Sequence, residues 1–393
     1  MTTSITMFPA RNGDALLLTY DGAPQCSVLI DGGYKDTFDN HICPVLQAMA
    51  GRGACLDALV VTHIDADHIT GILRLLELNG PFRSSNIIPI RLVLHNSFRN
   101  LPLDSDAEAS FSKPDLELLH EIRSHGHRRP NEVDSEISAS QGSTLASLLR
   151  AGDYNWNNGD GHESISSPNV IALPSNVTLT LLGPTITRLT ALRDWWMAKI
   201  RRLGVAGMIG QMPLLEDVFE FMCENEPGIA RLDKELASHA NSTTVLQDIY
   251  EPDESVTNSS SISLLCETPN SRILLPGDCW AEDLESALSS GIDLAKPFDA
   301  IKISHHGSFH NTSPRLLRII DSPRFFISTD GRKHGHPDIQ VLKEIVDRPA
   351  EFERHLYFNY RTSASRFMAS YSSKSGTPFI VHEEVDMPVL ISG

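Results

Sequence analysis

The chain has 393 residues, 41% hydrophobic and 21% charged, enough apolar material for one elaborated domain or two ordinary ones and too much for wholesale disorder. With 33 Lys and Arg against 50 Asp and Glu its formal charge is −17, which excludes a protein that holds nucleic acid through bulk positive charge. The longest apolar runs, such as Ala58 to Val61 and Ile273 to Leu275, fall far short of the roughly 20 residues that span a bilayer, so no membrane partner is expected.

Taken in chain order, the first third reads as short strands at Ile5 to Phe8, Ala15 to Tyr20, Ser27 to Ile30 and Leu59 to Thr62. Asn12-Gly13-Asp14 and Asp31-Gly32-Gly33 break them, and helices from about Asp39 to Gly51 and Ile69 to Leu78 interleave with them, which points to layered sheet and helix. Met1 to Ala10 lacks the basic start and apolar stretch of a secretory signal. Cys26, Cys43, Cys55, Cys223, Cys266 and Cys279 form no C-x-x-C pair, so a disulfide framework is not expected and a cytoplasmic setting is.

The middle, residues 96–256, reads as a mainly helical insertion within a domain spanning residues 1–393. Helices are predicted over Pro114 to Arg123, Thr185 to Leu203 and Leu214 to Cys223, a strand over Val177 to Leu182 that rejoins the sheet, and an exposed loop over Tyr154 to Pro168. Between Leu203 and Thr257 eleven Asp or Glu face only Arg231 and Lys234, so this segment carries −9 of the −17. On the helix from Thr185 the core spacing of Leu189, Leu192, Trp196 and Leu203 leaves Arg188, Trp195, Lys199 and Arg202 together on another face, where a single strand of nucleic acid could stack and pair. The strand grammar then returns at Ile262 to Glu267, Ile273 to Leu275, Ala300 to Ile303 and Phe325 to Ser328. Helices follow near Ala281 to Ser289, Pro314 to Ile320 and Asp338 to Val346, and closing strands at Glu351 to Arg361 and Thr377 to Glu383.

Chemistry concentrates at three strand ends. Thr62-His63-Ile64-Asp65-Ala66-Asp67-His68 places four donors within six residues between an apolar strand and a helix, a position from which imidazole and carboxylate converge on cations. Leu274-Leu275-Pro276-Gly277-Asp278 delivers a carboxylate to another strand end, and Ile301-Lys302-Ile303-Ser304-His305-His306-Gly307-Ser308 delivers paired histidines to a third.

Together these residues resemble the metallo-β-lactamase superfamily, in the branch of the ComEC-type competence-protein soluble domain and the phosphocholine esterases. Asn12-Gly13-Asp14-Ala15, Leu29-Ile30-Asp31-Gly32-Gly33 and Gly335-His336-Pro337 match that branch as well, so the resemblance covers about residues 5 to 95 and 260 to 345. It implies an α/β fold, the αβ/βα metallo-β-lactamase sandwich, and two divalent metal ions, Zn or Mn. It also implies ligands: His63, Asp65 and bridging Asp278 on one side, and Asp67, His68, Asp278 and His306 on the other. Asp65 stands where many members carry a histidine, and Asn258-Ser259-Ser260-Ser261 supplies no third one, so the first side is short of donors.

The expected activity is a metal-dependent phosphodiesterase, a nuclease hydrolysing DNA by a two-metal activated water. Asp65 or Asp67 would orient the water, His305 and His336 bind phosphate or protonate the leaving oxygen, and Lys302 and Ser308 touch substrate. The alternatives are a small-molecule phosphodiesterase or esterase, favoured by the charge, and an effector nuclease of a bacterial defence system. In the latter a regulatory protein partner would act through the insertion, relieving a site masked by its acidic segment.

Overall fold

The computed structural model describes residues 1–102, 110–125, 144–207, 210, 212–224, 244–333 and 335–392. In chain order its strands are β1 Thr3–Met7, β2 Leu16–Tyr20, β3 Cys26–Ile30, β4 Ala58–Val60, β5 Val93–Leu94, β6 Asn169–Leu173 and β7 Val177–Gly183. They continue with β8 Ser263–Thr268, β9 Ser271–Leu275, β10 Ala300–Lys302, β11 Arg324–Ile327, β12 Arg354–Phe358, β13 Phe379–His382 and β14 Val389–Ser392. They form two mixed sheets, one ordered β14-β1-β2-β3-β4-β5 and the other β13-β12-β11-β10-β9-β8-β7-β6. The helices used below are α1 Cys43–Ala50, α2 Ala66–Asn79, α3 Lys113–His125, α4 Leu145–Ala151, α5 Ile186–Arg202, α6 Pro213–Glu224, α7 Ala281–Ser289, α8 Pro314–Ile319, α9 Ile339–Val346 and α10 Ser363–Ala369.

The alternation of side chains along each strand sorts residues between cores. Val28, Ile30 and Val60 of the first sheet share a buried cluster with Leu179, Leu264, Ile273 and Leu275 of the second. The opposite register, Leu29 and Leu59, packs with Leu46 of α1, Ile72 and Leu75 of α2, and with Trp196 and Phe219 of α5 and α6. On the far side Leu274, Ile301, Phe325 and Leu356 meet Leu284 of α7, Leu316 of α8 and Leu342 of α9. Strands β9 to β13 pair in parallel in chain order. A parallel neighbour needs a crossover, and α7, α8, α9 and α10 supply one each. The carboxyl ends of such strands are where ligand-bearing loops gather.

Several expectations need correcting. Residues 154–168 form a loop, exposed at Asn158 to Asp160 and at His162 and Glu163, but it is pinned to the core: Trp156 is fully buried, its Nε1–H donates to the His95 carbonyl at 2.8 Å, and Tyr154 and Ile165 are buried as well. A Ser- and Gly-rich composition hid two aromatic anchors. The closing strands are joined by α10, and the tail ends in β14, which pairs antiparallel with β1 and so closes the first sheet. The strand expected over Val177 to Leu182 is β7 and joins the second sheet, and residues 96–256 add the unexpected β6 beside it, so the segment is woven into the main core by strands as well as helices. All six cysteines are free thiols. No helix among the described residues is long and apolar enough to cross a membrane.

Candidate metal centre

The loop after β4 is fixed from behind by Asp31 at the end of β3. Its Oδ1 accepts from the Thr62 N–H at 2.8 Å, and its Oδ2 accepts from Thr62 Oγ1 at 2.7 Å and from His68 Nδ1 at 2.8 Å. Asp31 holds φ 55° to do so, a left-handed conformation that a non-glycine residue adopts at some cost. Asp65 occupies the N-cap of α2, yet its side chain makes no capping bond and its buried Oδ1 has no hydrogen-bond partner. Asp67 is held instead by Asn12, whose Nδ2 donates to Oδ2 at 2.5 Å. The close approach of the two loops requires Gly13, where a Cβ would stand 1.9 Å from the Asp67 carbonyl oxygen.

At the centre of the site is Asp278 Oδ2. Around it stand the Nε2 atoms of His68 at 3.4 Å, His306 at 3.7 Å, and His63 and His305 at 3.8 Å. Asp65 Oδ2 lies 3.6 Å from His63 Nε2, and Asp67 Oδ2 4.0 Å from His306 Nε2. His305 and His306 reach the same centre although adjacent in sequence, because both take left-handed backbone, φ 44° and 57°. That strain, about 1–3 kcal/mol per residue, persists where the surroundings over-determine it. Side-chain exposure runs from 33% for Asp65 and 24% for His305 through 14% for Asp67 to 3% for Asp278 and His306, so the opening lies on the Asp65 and His305 side.

The charges are strongly coupled. Burial alone would raise the Asp278 carboxyl, but His305, His68 and His306 outweigh it and hold the group well below the usual carboxylate range. Burial opposes charge on His68 as well, yet Asp278 and Asp31 leave it well above its ordinary value. A divalent cation satisfies the same carboxylates, so cation and proton compete for this ring. The buried Nε2 atoms of His63 and His68, Asp65 Oδ1 and Asp278 Oδ1 have no hydrogen-bond partner, a cost that a cation removes. His63, His68 and Asp278 form one group that could hold a metal ion, Asp67, His68 and His306 a second, and Asp14, Asp31 and His68 a third.

Other expected residues sit elsewhere. Lys302, expected to touch substrate, is 2% exposed, paired with Asp14 and 3.8 Å from Asp278 Oδ1. Burial works against its charge, but Asp14 and Asp278 keep the ammonium above its ordinary value. Ser308 is fully buried and accepts from the His310 N–H at 3.2 Å, which is a turn bond. His336 packs its ring 5.6 Å from His305 and meets Asp338 Oδ2 through Nδ1 at 3.1 Å, beside the site. Of the basic face on α5, Arg188 is turned to Asp283 by two bonds of 2.8 and 2.9 Å and lies 4.2 Å over Trp280. Trp195 is half-buried with Lys199 4.6 Å over its ring, and Arg202 is exposed.

Three acids of the acidic segment are likewise put to internal use. Glu216 pairs with Arg99 and Arg150, Asp217 with Arg123, and Glu220 with His95 at 3.2 Å, all buried acids. These three carboxylates therefore do not form a mask over the opening, while residues 225–243 lie outside the described residues. Sequence reasoning passed over Asp253, Asn311 and Asp338, and gave Asp14 and Asn12 no role beyond a turn motif. Asp253 and Asp14 meet partners distant in the chain, whereas Asn311 and Asp338 also meet His305 and His336 six and two residues away, a proximity that by itself marks no role. In comparison with known proteins, no family model matches the chain and no curated protein matches it.

Proposed function

We propose that the chain is a hydrolase of the metallo-β-lactamase type that cuts phosphodiesters, with DNA as its polymer substrate and two divalent cations, Zn or Mn, as cofactors. The observation that carries this reading is Asp278 Oδ2 ringed by four imidazole Nε2 atoms at 3.4 to 3.8 Å, with Asp65 and Asp67 at the flanks. The layered pair of sheets with helices packed on both outer faces supports the fold assignment.

In this reading His63, Asp65 and Asp278 would hold one cation, and Asp67, His68, Asp278 and His306 the other. Bound there, such ions supply Lewis-acid activation of a phosphoryl oxygen and of water. Asp65, the most exposed acid of the set, orients the incoming water and takes its proton. His336, braced by Asp338, delivers a proton to the leaving oxygen. Asp31 and Asn12 keep His68 and Asp67 from rotating away.

The test is a cleavage time course on circular and linear DNA and on a small aryl phosphodiester, with Mn²⁺ or Zn²⁺, comparing wild type with His63→Ala and Asp278→Ala. Loss of more than about 100-fold in both variants is expected, beyond the 10- to 100-fold typical of groups that only brace a ligand. A second reading, a small-molecule diesterase, is favoured by the charge of −17 and by Arg188 being turned to Asp283. Cleavage of the small diester alone selects it, and a folded, metal-loaded protein that cuts neither substrate refutes both.

A further inference from the structure

The ligand set inferred from the sequence leaves the His63, Asp65 and Asp278 side one donor short. We propose that His305 is a further ligand at Asp278, the carboxylate the two sides share, and that Asn311 and Asp253 are the positioning residues that aim it. The inference rests on the metal-hydrolase reading above.

A nitrogen and a carboxylate oxygen bound to one cation are separated by at most the sum of two bonds, roughly 4.0–4.3 Å for Zn. His305 Nε2 lies 3.8 Å from Asp278 Oδ2, the same separation as His63. Neither distance is a hydrogen bond.

A metal-binding imidazole donates its other N–H to a fixed acceptor, and that bond settles which nitrogen keeps the lone pair. His68 Nδ1 faces Asp31 at 2.8 Å, and His306 Nδ1 faces the Ser328 carbonyl at 2.8 Å. His63 Nδ1 faces Thr62 Oγ1 at 3.0 Å, and since that hydroxyl donates its own hydrogen to Asp31, it accepts from His63. His305 follows the same rule through Asn311, whose Oδ1 lies 2.7 Å from His305 Nδ1. The orientation of this amide is not arbitrary. Its Nδ2 faces Asp253 Oδ2 at 2.9 Å and the carbonyls of Asp278 and Cys279 at 3.0 and 3.3 Å, three groups that only accept, so Oδ1 must face the ring. Asp253 is in turn steadied by Asn258 Nδ2 at 2.8 Å. The chain Asp253, Asn311, His305 thus puts the lone pair on Nε2, facing Asp278, and gives an acid from the insertion a part in building the site.

The test is Co²⁺ loading of the full chain, read by metal analysis and by paramagnetic proton NMR, which counts the shifted Nδ1–H signals of bound histidines. Wild type is expected to hold two Co²⁺ and show four such signals. His305→Ala should lose one signal and weaken one of the two ions by more than about 10-fold, Asp253→Asn should weaken the same ion by about 10-fold with the fold intact, and His336→Ala should change neither count. Three signals in wild type, or His305→Ala retaining both ions at wild-type affinity, would overturn the assignment of His305 while leaving the metal-hydrolase reading in place. Wild type that binds no Co²⁺ would overturn both. Because the wild-type count alone decides the question, the test survives a variant that does not fold.

Discussion

Lys302→Met separates a structural ammonium from one that meets substrate. The Lys302 side chain is 2% exposed, and its Nζ is paired with Asp14 and stands 3.8 Å from Asp278 Oδ1. Methionine keeps most of the stem and its packing, so the loss is electrostatic. Asp14, 1% exposed, would keep His306 Nδ1 at 3.4 Å and the His68 ring as its remaining imidazole neighbours. Burial opposes ionisation of Asp14, and it is Lys302 first, then His306, that holds its carboxyl below the ordinary range. Breaking a buried pair by removing one partner costs about 3–5 kcal/mol, against about 0.5 kcal/mol for truncating a surface lysine. Urea unfolding in chelator, where no metal contributes, should show that loss. The double variant Asp14→Asn with Lys302→Met should recover at least about half of it, since no carboxylate is then stranded. A single variant within about 1 kcal/mol of wild type, or a double variant no better than the single, would refute the reasoning. A stable Lys302→Met protein with a raised KM would restore the substrate role.

Two further expectations follow from the packing. Gly71→Ala in α2 would gain about 1 kcal/mol on a solvated helix, but its Cβ would stand 1.9 Å from the Gly32 carbonyl oxygen, and overpacking of this kind costs about 1–3 kcal/mol. A lowered Tm is expected, and a raised one would contradict the contact. Burial, and secondarily Glu220, pushes the Glu224 carboxyl from an ordinary 4.5 up to about 7. A carboxyl raised on folding favours the fold while protonated, so its contribution is complete below the unfolded value and is lost as pH rises through about 7. Glu224→Gln should therefore gain stability over wild type by about 2 kcal/mol between about pH 5 and about pH 8, read from urea midpoints, and a difference independent of pH would remove Glu224 as the cause.

The amino-acid sequence by itself determined the local grammar of this protein. Apolar runs ending at Thr62, Leu275 and Ile303 marked β4, β9 and β10 to within two residues, and the His and Asp residues just beyond them are the ones the fold gathers. Period and turn chemistry are readable there because they depend on neighbours a few positions away. Only the tertiary structure decided what each charge is for. Lys302 and Asp14, 288 positions apart, neutralise one another beneath the site, and Asp253 braces Asn311 from 58 positions away. Glu216, Asp217 and Glu220 look like solvated acid in the sequence but are consumed by Arg99, Arg123, Arg150 and His95. Trp156 and β14 were missed for a related reason, since a short stretch, polar around Trp156 and apolar at Val389–Ser392, is buried or paired only because distant chain folds against it. Burial and partner are properties of three-dimensional packing, and a side chain's charge, tautomer and availability to a ligand follow from them rather than from its neighbours in the chain.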